Sequence, residues 1–380
     1  MEPTGYEKFL NYLTVNGGIL LEPCCDLNWV KERVEALRKR HPWVFYNQVN
    51  GLFQESGIPS FYEFSLEKDM DGVDFVQWSL DQARSNDFVS FWLYKSSKHN
   101  CLVVNANHSV TDGPLIGLFL SDLVGHPVEY EEKRPNVKEM LDSIEENVQQ
   151  FSSTNTLAVP INPSPEDIHP RFNTHCYSYD ISDLMSVCTS LNVKPQAVLS
   201  VAELWAILHT LDQKEATNVM SMVSVNNRKN LNLKETSPLC PTSVIFIENS
   251  LEVNTTVKEL IVSMQKKLDV LVPQYSLGHF KAFSFGRLKP PGTTSSISNI
   301  GKLPTENNTI FVTGGAYFMP DTMKCLRNFT HHALTSGNKL NITLTYLSPG
   351  CDNAFVGSLV SHFDSFMSNI SNKLDERLIQ

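Results

Sequence analysis

The junction at residues 101–120 constrains the fold more than any other stretch of this sequence. An apolar run, Cys101–Ala106, leads into Asn-His-Ser-Val-Thr-Asp-Gly at 107–113, and a second apolar run follows at 114–120. The first run is typical of a buried strand and the second of a buried helix. Proline directly after Asp-Gly suits the first turn of that helix. The sequence therefore predicts a strand–loop–helix unit whose loop carries a histidine and an aspartate.

The periodicity of apolar residues and the positions of turn residues indicate that strands and helices alternate in both halves of the chain. In the first half the pattern predicts a strand at 19–21 started by Gly17-Gly18, a helix capped by Asp26 or Asn28 and closed by Arg40-His41-Pro42, a hairpin of strands at 88–94 and 101–105, and a helix from 112 to about 124. In the second half it predicts strands at 177–180, 219–225, 296–300, 310–312 and 340–346, and helices at 182–191, 196–211, 257–271 and 355–374. This order favours an α/β protein with mixed sheets and helices.

A charged, proline-marked stretch from about residue 129 to 170 separates the two halves. It contains one predicted helix, at 137–151, and then Pro160-Ile-Asn-Pro-Ser-Pro165, which is typical of a linker. A chain of 380 residues is also long for a single core. We therefore expect an N-terminal lobe over 1–158, with a linker or crossover from about 129, and a C-terminal lobe over 159–380.

Composition excludes several classes of function. The net charge of −10 argues against general nucleic-acid binding, and no apolar run is long enough to span a bilayer. The N-terminus lacks the basic and apolar regions of a signal peptide. The eight cysteines form no CxxC pair and are interpreted as buried, reduced thiols. These features predict a cytoplasmic protein.

His108 is the leading candidate for chemistry, because it follows a buried strand where ligands of α/β folds bind. Histidine can take up and return a proton near neutral pH. The alternative is a histidine that only packs in the core or on the surface. Asp112 has three interpretations that the sequence leaves open: a helix N-cap, an ion pair that fixes the loop, or a metal ligand with His108. Gly113-Pro114 disfavours a helix through 108–112, so we predict no metal.

Other catalytic patterns are missing from the sequence. No Gly-x-Ser-x-Gly nucleophile elbow and no phosphate-binding glycine loop is present, and 312–316 lacks the necessary spacing and lysine. Cys101 is the nearest thiol to His108, but an extended strand keeps the two residues apart. The adjacent His331 and His332 would point in opposite directions in a strand.

Residues 108–113, His-Ser-Val-Thr-Asp-Gly, resemble the HxxxDG motif of the CoA-dependent acyltransferase superfamily. That superfamily includes chloramphenicol acetyltransferase, plant BAHD acyltransferases, condensation domains and alcohol acyltransferases. Further resemblances to segments of the superfamily are Leu-Arg-Lys-Arg-His-Pro at 37–42, Val-Asn-Asn-Arg at 225–228, and Ser-Asn-Ile-Gly at 298–301 followed by Leu-Asn-Ile-Thr-Leu-Thr-Tyr at 340–346. The last pair is similar to the alcohol O-acyltransferase branch. The matches extend from about residue 10 to 370.

The resemblance implies two chloramphenicol-acetyltransferase-like lobes with a tunnel between them, and it implies roles for individual residues. His108 matches a general base that deprotonates an acceptor hydroxyl or amine for attack on an acyl thioester. Asp112 matches an aspartate that pairs with an arginine, either Arg228 or Arg40, and Gly113 matches a glycine of the tight turn. The residues implied to line the substrate tunnel are Asn107, Asn299, Gly301, Thr343 and Thr345.

Departures from the motifs narrow the implied activity. Asn107 stands where many condensation domains have a second histidine, and the plant-type DFGWG segment is absent. We therefore expect a monomeric O-acyltransferase that uses acyl-CoA as co-substrate, has no bound cofactor and acylates a small-molecule alcohol or amine. The alternatives are a condensation-type enzyme with a carrier-bound donor and a non-catalytic ligand-binding protein. The basic residues near the C-terminal motifs are candidates for binding CoA phosphates: Lys281, Arg287, Lys289 and Lys302.

Overall fold

The computed structural model of the protein describes residues 13–49, 52–55, 57–66, 69–83, 89–129, 135–151, 156–159, 171–288, 291–306, 309–316, 329–348 and 351–379. The predicted linker at 160–165 and Lys289 lie outside these residues. The helices are α1 (Leu27–Arg40), α2 (Gly72–Gln82), α3 (Gly113–Leu123), α4 (Val137–Ser143), α5 (Ile181–Leu191), α6 (Pro195–Thr210), α7 (Val257–Ser284), α8 (Asn353–Ser368) and α9 (Ile370–Lys373). The strands are β1 (Leu13–Leu21), β2 (Tyr46–Val49), β3 (Leu52–Glu55), β4 (Ser60–Ser65), β5 (Val89–Lys95), β6 (Asn100–Asn107), β7 (Arg171–Asp180), β8 (Thr217–Asn226), β9 (Thr242–Leu251), β10 (Ser295–Lys302), β11 (Ile310–Ala316), β12 (Phe329–Ser336) and β13 (Lys339–Ser348).

The first large sheet has the order β11-β1-β6-β5-β4 and is mixed, because only β4 and β5 run parallel. Strand β1 lies between β11 and β6 and begins at Leu13, well before the predicted start at Gly17-Gly18. A Cβ on Gly17 would lie 2.6 Å from Leu120 of α3, and a Cβ on Gly18 would lie 2.8 Å from Val76 of α2. Successive residues of a strand face opposite sides of the sheet. The two glycines therefore let one helix pack closely on each face, rather than ending the strand.

The second large sheet has the order β7-β13-β12-β10-β8-β9, with β10 parallel to both of its neighbours. One face packs against α5, α6, α7 and α8 in the largest apolar cluster of the described residues, centred on the almost wholly buried helix α6. The other face of β13 turns toward β11, where the Asn341 side chain donates to the Ile310 carbonyl at 2.9 Å. The predicted α/β class with mixed sheets is confirmed.

A strand from the second half of the chain completes the first sheet. β11 pairs antiparallel with β1 from Leu13↔Ala316 to Ile19↔Ile310, although the sequence groups 310–312 with the C-terminal strands. Strand order depends on contacts between distant segments, so local periodicity cannot assign it. The division of the chain at 158/159 remains a prediction. That division does not anticipate that β11, from the C-terminal half, joins the sheet of the N-terminal half.

The chain between the lobes departs from its predicted helix. The sequence predicts a helix over 137–151, but α4 ends at Ser143 and residues 144–151 cross α7 and the edge strand β9. Gln149 bonds both backbone groups of Phe246 in β9, accepting from its N–H at 3.0 Å and donating to its carbonyl at 2.8 Å. Lys281 donates to the Ile144 carbonyl at 2.7 Å. These tertiary bonds favour an extended path over further helical turns.

Two other helix ends also differ from the sequence pattern. The sequence pattern predicts a helix over 257–271, but α7 continues past Pro273 to Ser284, and residues 276–284 bury one face under the 144–151 segment. The predicted helix at 355–374 is divided into α8 and α9 at Asn369. The sequence also misses α2, β2–β4, β9 and β12. Among the described helices, none has the length and hydropathy of a bilayer span.

The Arg-His-Pro segment joins the end of α1 to the end of α3. The buried Asp122 accepts from the His41 Nε2 atom at 2.8 Å and from Arg40 at 2.7 and 3.2 Å. Burial, the largest influence, lowers the pKa of His41 to about 4, against the opposing effect of Asp122. His41 is therefore neutral at pH 7 and donates its Nε2 proton to a carboxylate that is 2% exposed.

Acidification should destabilise the protein through His41. Its pKa in the folded state, about 4, lies below the ordinary value of 6.5, so between these limits the unfolded chain binds more protons. The stabilisation is complete above pH 6.5 and decreases as the pH falls through 4, by on the order of 3 kcal/mol. His41→Gln keeps an Nε2 donor but cannot titrate, so urea unfolding should show a flatter pH dependence. Parallel curves for the two proteins would contradict this assignment.

Gly278 should be essential for the crossover segment. A Cβ at this position would overlap the carbonyl oxygen and other backbone atoms of Asn147. Gly278→Ala should cost about 3 kcal/mol, because backbone on both sides must move. Gly357 is a matched control in α8: it is exposed, with open space where a Cβ would lie. Gly357→Ala should stabilise the protein by about 0.5–1 kcal/mol, so equal midpoints for the two variants in thermal unfolding would contradict the prediction.

Candidate active site

The loop at 108–112 begins where β6 ends and is held by backbone bonds from both directions. The His108 N–H donates to the Leu13 carbonyl at 2.9 Å, next to the β1–β11 pairing. The Asn107 side-chain oxygen accepts from the Ser109 N–H at 2.8 Å, and its carbonyl accepts from Thr111 at 3.2 Å. Asn107 is fully buried, so in this structure the predicted tunnel residue shapes the loop.

Asp112 has two of the functions that the sequence leaves open, one for each carboxylate oxygen. Oδ1 accepts from the Leu115 N–H at 3.1 Å and caps α3. Oδ2 accepts from Arg228 at 2.7 Å in a pair that is almost completely shielded from solvent. Asp112 therefore starts the helix after His108 and also binds the loop to the other lobe.

Arg228 follows the end of β8 and is fully buried. Besides Asp112, its guanidinium donates to the backbone carbonyls of Leu239 at 2.7 Å and Ser237 at 3.3 Å. Of the two arginines that the resemblance offers as partners of Asp112, the structure places Arg228 there and Arg40 on Asp122. Sequence spacing alone cannot make this choice, because each partner is distant along the chain.

Gly113 is required by a close approach and not by an unusual backbone angle. It lacks a positive φ, but a Cβ would lie 3.0 Å from two side-chain carbons of Ile300 in β10. The neighbouring Asn299 and Gly301 form a bulge in β10: Asn299 accepts from the Gly301 N–H at 3.0 Å, and Gly301 has φ +96°. The bulge shifts the register and brings Ile300 against the start of α3. The structure thus brings 113 and 299–301 together.

The His108 ring lies between the sheets. The residue as a whole is half-buried, but one of its two ring nitrogens is shielded from solvent. Burial lowers its pKa, while the carbonyls of His108 and Thr111 and the Asp112 carboxylate act in the opposite direction. The buried atom is Nδ1, which has no hydrogen bond of regular geometry in the described part of the chain. The nearby carbonyls favour a proton on Nδ1, which leaves the Nε2 lone pair toward the open side. This is the protonation state of a general base.

The opposite wall of this space comes from the second sheet. Thr343 and Thr345 share the face of β13 that is directed toward β11, and the Thr345 hydroxyl bonds the Thr313 hydroxyl. Opposite Thr343 in β12 lies His332, whose pKa is lowered by burial and, to a smaller extent, by His331 and His108. The sequence predicts only that the side chains of His331 and His332 point in opposite directions, and it does not identify His332 as a site residue. Alternating polar residues in β12 and β13 were the available signal.

Other sequence candidates have structural partners elsewhere. Lys281 bonds the Ile144 carbonyl and Arg287 forms an ion pair with Glu146, so both fasten the crossover segment. Lys302 is exposed at the end of β10. Burial raises the pKa of the Cys101 thiol to about 12, which disfavours a thiolate nucleophile. Within the described residues, no group of three His, Cys, Asp or Glu side chains could hold a metal ion.

The substitution Asp112→Asn distinguishes the capping role of Asp112 from its ion-pair role. Asn caps a helix about as well as Asp, so a pure cap would tolerate Asp112→Asn. The Asn amide cannot neutralise the buried Arg228, so we expect a loss of about 3–5 kcal/mol in urea unfolding. The exposed Asp26 is a matched control, because it caps α1 through the Trp29 N–H, and Asp26→Asn should change stability by less than about 0.5 kcal/mol. Similar losses at both sites would contradict the ion-pair role.

Comparison with known proteins supports the fold independently of the motifs. No protein-family model matches the sequence, and no curated protein sequence matches it significantly. Solved structures do match along nearly the whole chain. The epimerization domain from the third module of tyrocidine synthetase B has 13% identity and a TM-score of 0.64, with 99% of this chain and 96% of that chain covered.

Two further solved structures have the same TM-score of 0.64. SgcC5 from Streptomyces globisporus has 10% identity over 99% of this chain and 100% of that chain. TRI101 from F. graminearum, complexed with ethyl coenzyme A, has 10% identity over 95% of this chain and 96% of that chain. At these identities the likeness concerns the fold alone. The predicted fold class is thereby confirmed: the protein has the same two-lobed, mixed α/β fold as these solved structures.

Proposed function

We propose that the protein is an acyltransferase that moves an acyl group from acyl-CoA to a hydroxyl, or an amine, of a small molecule, with His108 as general base. The observation that carries this proposal is the state of His108. Its ring is held between the two sheets, is neutral because burial lowers its pKa, and is directed by a loop that the Asp112–Arg228 pair immobilises. A merely structural histidine would not require this arrangement.

The roles of the two motif residues follow from their contacts. One carboxylate oxygen of Asp112 accepts from the Leu115 N–H and the other accepts from Arg228, so neither oxygen is available to accept a proton from His108. Its function is to hold the loop, and proton transfer is left to the imidazole alone. A thioester is already activated, so the enzyme must orient the two substrates, remove one proton and stabilise the developing oxyanion.

Acyl-CoA as the donor is favoured by two observations. TRI101, which shares the fold, was solved with ethyl coenzyme A and separately with coenzyme A and T-2. Asn107 also occupies the position of the second histidine of many condensation domains, and its side chain is committed to the loop. Of the basic candidates for the CoA phosphates that are described, Lys281 and Arg287 already bind the 144–147 segment, so Lys302 is the preferred one.

His108→Ala should abolish acyl transfer while the protein stays folded. Removal of a general base costs about 10²- to 10⁴-fold in kcat. The measurement is thiol release from acetyl-CoA and octanoyl-CoA with a panel of primary alcohols, secondary alcohols and amines. His108→Gln tests the same point with a polar side chain that cannot act as a base. His126→Gln, after the end of α3, is the control and should retain full activity.

Activity of the His108 variants close to that of the wild type would contradict the general-base role. The condensation-type alternative defines a second assay, with an acyl group on a phosphopantetheine carrier protein. Transfer from the carrier together with none from any acyl-CoA would contradict the free-donor proposal. Tight acyl-CoA binding by calorimetry without turnover would instead indicate a binding protein.

A further inference from the structure

We propose that His332 is a second functional residue of this site and donates a hydrogen bond from Nε2 to the carbonyl oxygen of the acyl donor. The inference deepens the proposed acyl transfer and rests on it. It assigns to the C-terminal lobe the group that stabilises the oxyanion, opposite the base on the N-terminal lobe.

The position of His332 is set by strand pairing. His332 lies opposite Thr343 in the antiparallel β12–β13 pair and opposite Ser298 in the parallel β10–β12 pair. Its Nε2 atom lies 3.6 Å from the point that a Cβ of Gly314 in β11 would occupy. The imidazole therefore lies over β11 at van der Waals distance from the Gly314 side of that strand. Across the first sheet, Val15 pairs with both Gly314 and Ala106, so β11 and β6 are separated by only one strand.

One strand between β11 and β6 corresponds to a backbone separation of about 10 Å. His108 follows the end of β6, and His332 projects over β11 from the second sheet. The two imidazole rings therefore approach the same region from different sheets. The electrostatic effect of His108 on the pKa of His332 indicates the same proximity.

Packing accounts for His331 but not for His332. His331 is completely buried, bonds Glu203 at 2.9 Å and stacks on Phe363 at 4.4 Å in the C-terminal core. His332 points the opposite way, and its buried Nδ1 atom has no hydrogen-bond partner in the described part of the chain. The residue is only half-buried, so its Nε2 side faces the open space. The Nε2 atom of His332 is therefore the ring nitrogen that a ligand can reach.

The two histidines are suited to opposite tasks. Burial, followed by His331 and His108, lowers the pKa of His332 to about 3, so the ring carries one proton at neutral pH. Because no acceptor holds a proton at Nδ1, the proton resides on Nε2, where it can be donated. In His108 the adjacent carbonyls favour the proton on Nδ1 and leave Nε2 as an acceptor. One ring is therefore a donor and the other a base.

The step balances with these two groups. The acceptor oxygen attacks the thioester carbonyl carbon and forms the new C–O bond, while its proton moves to His108 Nε2. The carbonyl π pair moves onto oxygen, and the His332 Nε2–H donates to this oxyanion. The C–S bond then breaks, the carbonyl re-forms, and the CoA sulfur receives the proton from His108. Neither histidine changes its net protonation over the cycle.

The first test does not depend on activity. Long-range ¹H–¹⁵N spectra of protein labelled at histidine report which ring nitrogen carries the proton, and His332→Gln identifies the His332 signals. At pH 7 we expect the proton of His332 on Nε2 and that of His108 on Nδ1. A His332 ring protonated on Nδ1 would overturn the inference, whether or not the protein transfers acyl groups.

The second test uses kinetics with the acyl-CoA and acceptor that the wild-type enzyme turns over. His332→Ala should lower kcat by about 10²- to 10³-fold, with the KM for acyl-CoA within about threefold. His332→Gln places an N–H near the former Nε2 and should recover much of the loss, whereas His332→Asn, which mimics Nδ1, should not. Unchanged kcat in folded His332→Ala, or equal rescue by Asn and Gln, would overturn the inference. No turnover by the wild type would contradict the proposed function instead.

Discussion

The ion pair between Arg228 and Asp112 is the interaction on which the rest of the structure depends. A buried guanidinium is costly unless its charge is neutralised, and Asp112 neutralises the charge of Arg228 while the carbonyls of Ser237 and Leu239 accept from its Nη2 atom. Because Arg228 ends a strand of the second sheet and Asp112 begins a helix on the first, the pair sets the relation between the lobes. The position of His108 follows, since its loop is closed by the same carboxylate.

Much of the fold could be predicted from the sequence because its signals are local. The 101–120 junction was predictable because apolar runs, a capping aspartate and a proline all agree on one structure. Local signals failed where a distant segment decides the outcome. Gly17 and Gly18 indicate a strand start, but helices on both faces require them within β1. Residues 144–151 have a helical pattern, but bonds to β9 and α7 hold them extended.

The candidate site also has features that were predictable from local sequence and features that depend on distant contacts. The spacing of His108, Asp112 and Gly113 was visible in the sequence, and two arginines could be named as candidate partners of Asp112. The choice between Arg228 and Arg40 was not, because it depends on which carboxylate each guanidinium reaches in space. His332 could not be found without knowing that β11 joins the first sheet, since only then does Gly314 lie beneath it. Glycines in a strand and alternating polar residues were each ambiguous by themselves.

The exchange of β11 between sheets has a consequence for how the chain can be cut. If residues 1–158 were produced alone, β1 would keep β6 but lose β11, and it would become an edge strand with unpaired backbone groups along one side. Such an edge pairs readily with other copies, so the fragment should self-associate, while the complementary fragment would carry a strand with no sheet to join. The two halves of the chain are therefore interlocked through β11, and the N-terminal half does not carry all the strands of its own sheet.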